Sequence, residues 1–178
     1  HIPIFTFVNK MDRAGKDPFA LMEEMEQVLG IRACPVNWPI GTDGDFQGVY
    51  HRDTNQIELY FGGDHGKVKA GKTEIALDDP ALPGMLDKHY LSRLHDEIEL
   101  LEGAGAEFDM ERVRHGKLSP VFFGSALTNF GVEPFLEEFL RMTTPPLSRK
   151  AGDQVVDAFD DDFSGFVFKI QANMNKAH

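Results

Sequence analysis

The sequence predicts an α/β chain, a parallel sheet flanked by helices and interrupted by an inserted α+β segment. Two short apolar runs, Ile2-Pro3-Ile4-Phe5-Thr6-Phe7-Val8 and Leu118-Ser119-Pro120-Val121-Phe122-Phe123, have the unbroken hydrophobicity of strands buried on both faces of a parallel sheet. Each is followed by a segment whose apolar residues recur at helical spacing. About a hundred residues lie between them, where one crossover helix with short loops would suffice, so extra structure must be inserted there.

The elements follow in order. Asp17 can cap a first helix, Pro18 suits its first position, Leu21, Met22, Met25, Val28 and Leu29 make one apolar stripe, and Gly30 stops it. Residues 33–40 read as extended. Residues 46–51 and 56–61 read as a hairpin around Asp53-Thr54-Asn55, and 67–76 as a further β element. Leu86, Tyr90, Leu94, Ile98 and Leu101 fall on one face of a helix ending near Gly103. Val132, Phe135, Leu136, Phe139 and Leu140 set a last helix that packs back on the sheet, and Thr143-Thr144-Pro145-Pro146 breaks it. Residues 147–153 read as a linker. Residues 163–170 alternate in part like a strand, and one strand cannot fold alone. With His1 directly against a core-type strand, the chain reads as a piece of a longer protein.

At 178 residues and 42% hydrophobic, the chain can bury a real core. No run has membrane-spanning length, and nothing at the start has the pattern of a secretory signal. The lone Cys34 excludes an internal disulfide and a multi-cysteine zinc site, which fits a reducing cytoplasm. A net charge of −11 argues against broad contact with a phosphate backbone, so no DNA partner is expected and any nucleic acid is gripped elsewhere.

The chemistry sits directly after the two apolar runs, where α/β sheets bind ligands. The first is followed by Asn9-Lys10-Met11-Asp12. Guanine presents two adjacent donors, its ring N1–H and exocyclic amine, and an ionised Asp12 can accept both in one charge-assisted contact. Adenine lacks that pair. Asn9 bonds the base edge or ties neighbouring loops together, and the alkyl stem of Lys10 suits the flat face of the base. The second run is followed by Gly124-Ser125-Ala126-Leu127, whose small residues let backbone approach a base. The Ala126 amide N–H is the expected donor to the guanine carbonyl.

Other patterns fail on context. Gly66-Lys67-Val68-Lys69-Ala70-Gly71-Lys72-Thr73 matches the phosphate-loop spacing, but Glu74-Ile75-Ala76-Leu77 is too short for the helix that must follow before Asp78-Asp79-Pro80. A glycine-rich hairpin is the expected form. Asp43-Gly44-Asp45 opens like a calcium loop, yet its twelfth position is Thr54 and not glutamate. Asp162-Phe163-Ser164-Gly165 imitates a magnesium motif but precedes its strand. The seven histidines show no metal spacing, and Ser125 has no His/Asp partners that would make it a nucleophile.

With both boxes, and with Val36-Asn37-Trp38-Pro39-Ile40-Gly41 and Phe168-Lys169-Ile170-Gln171-Ala172-Asn173-Met174, the chain resembles the translational GTPases, in their release-factor branch more than the elongation factor G branch. The resemblance implies a partial P-loop GTPase domain in residues 1–43 and 116–146, an inserted subdomain in 44–115, a linker in 147–162, and the first strand of a β-barrel domain in 163–178. It implies Asn9, Lys10, Asp12, Ser125, Ala126 and Leu127 as guanine contacts, with GTP or GDP and Mg2+ held by the complete protein. It also implies a cytoplasmic factor that acts on the ribosome and on class I release factors, with the insertion a candidate contact for the ribosomal stalk. No phosphate loop, threonine switch or correctly placed Asp-x-x-Gly motif is present, so no catalytic or metal-binding residue is expected in this chain.

Overall fold

The computed structural model describes residues 2–41, 44–61, 71–143 and 147–170. The two apolar runs form neighbouring strands. β1 (Thr6–Val8) leads into α1 (Pro18–Leu29), whose N-terminus is capped by Asp17 through the amides of Phe19 and Ala20 and whose C-terminus closes on left-handed Gly30, as expected from sequence. The stretch expected to be simply extended is two strands in two sheets. β2 (Arg32–Pro35) lies parallel to the strand of the second apolar run, and after a turn of direction at Val36, β3 (Asn37–Ile40) opens an antiparallel sheet.

That sheet continues through β4 (Gly48–His51), β5 (Gln56–Phe61) and β6 (Gly71–Ala76) in the order β3-β4-β5-β6. The short helix α2 (Leu82–Met85), the long helix α3 (Lys88–Ala104) and α4 (Met110–Arg114) follow, each of the latter two opened by an aspartate cap, Asp87 and Asp109. β7 (Leu118–Phe123), buried along its whole length, is the centre of the parallel sheet β1-β7-β2. α5 (Val132–Met142) packs Phe135 against Phe7 and Phe122, and Phe139 against Phe5, while Leu136 and Leu140 stay exposed.

The contacts divide the chain into two units, residues 1–142 and 143–178. In the second, β8 (Arg149–Ala151) and β9 (Gln154–Val156) form a hairpin about Gly152, inside the segment expected to be a linker. Residues 163–170 form no strand, and Phe163, Phe168 and Ile170 are exposed. Their alternation meets no partner strand among the described residues, and a strand without a partner has no ladder to join.

The phosphate-loop look-alike is resolved at its described end. Gly71, Lys72 and Thr73 lie in β6, paired with Phe61, Tyr60 and Leu59, with no helix following; residues 66–70 lie outside the described residues. Lys72 Nζ faces Glu58 Oε1 at 2.7 Å and Glu74 Oε1 at 3.0 Å. Glu58 is buried, and its other oxygen meets His51 Nε2 at 3.3 Å and accepts the Tyr60 hydroxyl at 2.9 Å. Burial alone would push this carboxyl up, but the His51, Lys72 and Tyr60 contacts outweigh it and hold it at about 2.

A folded carboxyl that titrates below its ordinary 4.5 contributes fully above that pH and loses its contribution as pH falls toward 2. Glu58→Gln is therefore expected to cost up to about 3 kcal/mol near neutrality, and urea unfolding should show the gap from wild type narrowing between about pH 5 and pH 3. A gap constant across that range would assign the acid sensitivity to other carboxylates.

Candidate functional site

The parallel register pairs Val8 with Phe123, so the segments leaving β1 and β7 emerge side by side at the carboxyl end of the sheet. Backbone bonding continues past the strand ends. Gly124 N–H donates to Val8 O at 3.1 Å, and Met11 N–H donates to Gly124 O at 3.1 Å. A Cβ on Gly124 would stand 2.5 Å from Phe130 O and 2.8 Å from the Phe7 ring, so only glycine allows this approach.

The two boxes then meet through side chains. Asn9 Oδ1 accepts the Ala126 amide N–H at 2.9 Å and the Lys10 N–H at 2.8 Å. Asp12 Oδ1 accepts the Ser125 hydroxyl at 2.5 Å, while Oδ2 lies 3.6 Å from Arg13 Nε. Asn9 thus takes the loop-tying role of its two expected alternatives. Asp12 keeps acceptor capacity beyond these contacts, since a carboxylate offers about four lone-pair sites. Lys10 adopts a left-handed backbone, φ 71°, a conformation costing an ordinary residue about 1–2 kcal/mol and characteristic of functional turns. Its carbonyl accepts Arg13 N–H at 3.1 Å, which closes the turn that carries Met11 into the core and leaves Lys10 exposed.

Ser125 is wholly buried, and its backbone exchanges two hydrogen bonds with Phe130 at 2.8 and 2.9 Å, which closes the intervening residues into a loop. Ala126 and Leu127 sit exposed on that loop. The expected role of the Ala126 amide needs restating, because its N–H is already engaged by Asn9. Among the described residues no group of three or more His, Cys, Asp or Glu converges as a metal site.

Sequence reasoning did not assign a role to Asn37. Its amide nitrogen donates to Phe123 O at 3.1 Å and its oxygen accepts Phe123 N–H at 2.7 Å, so β3 clamps the last residue of β7. The signal was there: Asn37 is the one amide in the apolar run from Ala33 to Ile40, and a buried amide in such a run needs partners.

Comparison with known proteins adds three findings. The elongation factor Tu GTP binding domain family model matches residues 1–145. Peptide chain release factor 3 of Symbiobacterium thermophilum is 57% identical over 99% of this chain and 34% of its own length. The proteins of the same name from Acaryochloris marina and Synechococcus elongatus are 48% and 49% identical over 99% and 100% of this chain, and over 33% and 32% of their own. The chain thus spans about a third of the length of these relatives. A crystal structure of a Thermus thermophilus protein superposes with a TM-score of 0.51 at 22% identity, covering 80% of this chain and 22% of that one, a likeness of fold.

Because both polar ends of Asn37 are satisfied by one backbone residue, Asn37→Ala should cost about 2–3 kcal/mol in urea unfolding followed by fluorescence of the single Trp38. A loss below about 0.5 kcal/mol would mean that water replaces the amide at little cost.

Proposed function

The chain belongs to the elongation factor Tu GTP binding domain family, and from that premise we propose that it is the guanine-recognising part of a peptide-chain release factor 3 type of translational GTPase. The observation that carries the reading is the meeting of the two boxes, Asn9 with Ala126 and Asp12 with Ser125, across the ends of two adjacent parallel strands. In the proposed complex Asp12 accepts the guanine N1–H and amine. The Ser125 hydroxyl occupies one lone pair of Oδ1 and so fixes the plane of the carboxylate before the base arrives. The Ala126 N–H is shared between Asn9 Oδ1 and the base oxygen, so Asn9 keeps tying the two loops together. Lys10 covers one face, and Leu127 shields the outer rim of the loop.

The proposal extends to the complete protein by family likeness. There GTP, with Mg2+, is held and hydrolysed by parts outside this chain, and the cycle drives class I release factors from the ribosome in the cytoplasm. Residues 1–43 and 116–146 are the proposed nucleotide-domain part, 44–115 the insertion with a proposed reach to the ribosomal stalk, 147–162 the linker and 163–178 the start of a second domain.

In the complete protein, Asp12→Asn should weaken GDP binding by about 2 kcal/mol and improve binding of xanthosine diphosphate, because the amide can donate to the carbonyl that replaces guanine's amine. Unchanged base preference would remove Asp12 from the role. For the 178-residue chain by itself, calorimetry should find GTP binding no tighter than about millimolar, worth about 4 kcal/mol, and no phosphate release above blank. Micromolar binding would locate a phosphate cradle within these residues.

A further inference from the structure

The loop that carries Ser125 and Ala126 is closed by Phe130, and Phe130 leans on the inserted sheet. The Tyr60 ring of β5 stacks on the Phe130 ring with centroids 4.4 Å apart and planes 20° from parallel, and Phe46 flanks both rings at 6.0 Å. The Tyr60 ring is itself fixed at its far end. Its hydroxyl donates to the buried Glu58 carboxylate at 2.9 Å. Burial and the Glu58 charge push the phenol far up, so it stays a donor throughout the working range. Gly131, at φ 72°, is the turn between Phe130 and α5. A continuous set of contacts therefore runs from Glu58 through Tyr60, Phe130 and Ser125 to Asp12.

We propose that Tyr60, on the inserted sheet, is a positioning residue for base selectivity: its ring seats Phe130, which holds Ser125 where its hydroxyl orients the Asp12 carboxylate. The inference rests on the guanine reading of Asp12. It adds a claim that reading does not contain, that the insertion helps decide how well the base is read. The physical ground is that a carboxylate accepting two donors at once is sensitive to its plane. Among the described residues, the side-chain contact that sets this plane from across the site is the Ser125 hydroxyl, delivered by a loop braced from outside the parallel sheet.

The test compares GDP with inosine diphosphate in the complete protein. Inosine lacks only the exocyclic amine, so the affinity ratio reports the Asp12 contact and cancels any uniform loss of active protein. Tyr60→Leu fills the space without a ring and should reduce the ratio about fivefold, within the range of a lost aromatic pair, whereas Tyr60→Phe keeps the ring and should stay within about twofold of wild type. Trp38 fluorescence and thermal melting confirm folding; should Tyr60→Leu not fold, Phe130→Leu removes the same stack from the other side and carries the same expectation. An unchanged ratio in the folded ring-less variant, or an equal loss for both nucleotides, overturns the inference. The guanine reading has its own arm. If wild type does not prefer GDP to inosine diphosphate, or Asp12→Asn gains no xanthosine diphosphate binding, that reading fails and takes this one with it; if both hold and Tyr60 is silent, only the inference falls.

Discussion

The parallel pairing of β1 with β7 in the register Val8 to Phe123 is the constraint from which the rest follows. Neither box is a site by itself. Asn9 to Asp12 is a turn, and Gly124 to Leu127 is the start of a loop; they become one surface because two strands distant in sequence end at the same level. A slip of one residue would shift the boxes by about 3.3 Å, more than any of the joining hydrogen bonds could bridge. The register is held on several sides. Thr6 and Ser119 share a hydroxyl contact at 2.9 Å, Asn37 clamps Phe123 from the neighbouring sheet, and Gly124 permits the close backbone approach at the end.

What was legible in the sequence is what local chemistry decides. The buried strand β7, the Asp17 and Gly30 caps of α1, the 56–61 strand with its partner, and the helix bearing Leu94 and Leu101 all follow from periodicity and terminal signals that need no distant partner. The first apolar run, by contrast, is a strand only at Thr6–Val8, half-buried, with Ile2 and Ile4 exposed. The division of residues 32–40 was not legible, because a continuous apolar run gives no sign that its first half will meet β7 and its second half β4. Nor was the β8–β9 hairpin, whose strands are three residues each and mostly exposed, without the alternation that marks a half-buried strand. The aspartate-capped turn of α4 is too short to declare a period.

The site residues divide in the same way. Asp12 and Asn9 could be named as candidates from side-chain chemistry, and the structure brings both against the second box. The actual partner of the Ala126 amide could not, because it depends on how near Asn9 comes once the strands are paired. Tyr60 gave still less signal. In sequence it is one aromatic in a strand, and its meaning arises only where its ring meets a residue seventy positions away.

The insertion is therefore not an appendage hung from the parallel sheet. β3 sends Asn37 to the backbone of β7 and its neighbour Trp38 to the opposite side, where the indole, fully buried, lies against Phe19 of α1 and Phe123 of β7 at 4.5 and 5.3 Å between ring centroids. The indole N–H donates to Glu97 of α3 at 2.8 Å, and Arg93 ties that same carboxylate toward Asp17, the cap of α1. β3, which precedes the proposed insertion and pairs with its first strand β4, thus supplies the packing that seats α1 and the clamp that ends β7. Removing residues 44–115 would take from β3 its partner strand β4 and from the buried Trp38 indole N–H its Glu97 acceptor, while Asn37, outside those residues, stays on Phe123. The second sheet therefore supports, through its pairing with β3, the strand that clamps β7, and is not only a surface beside the candidate site.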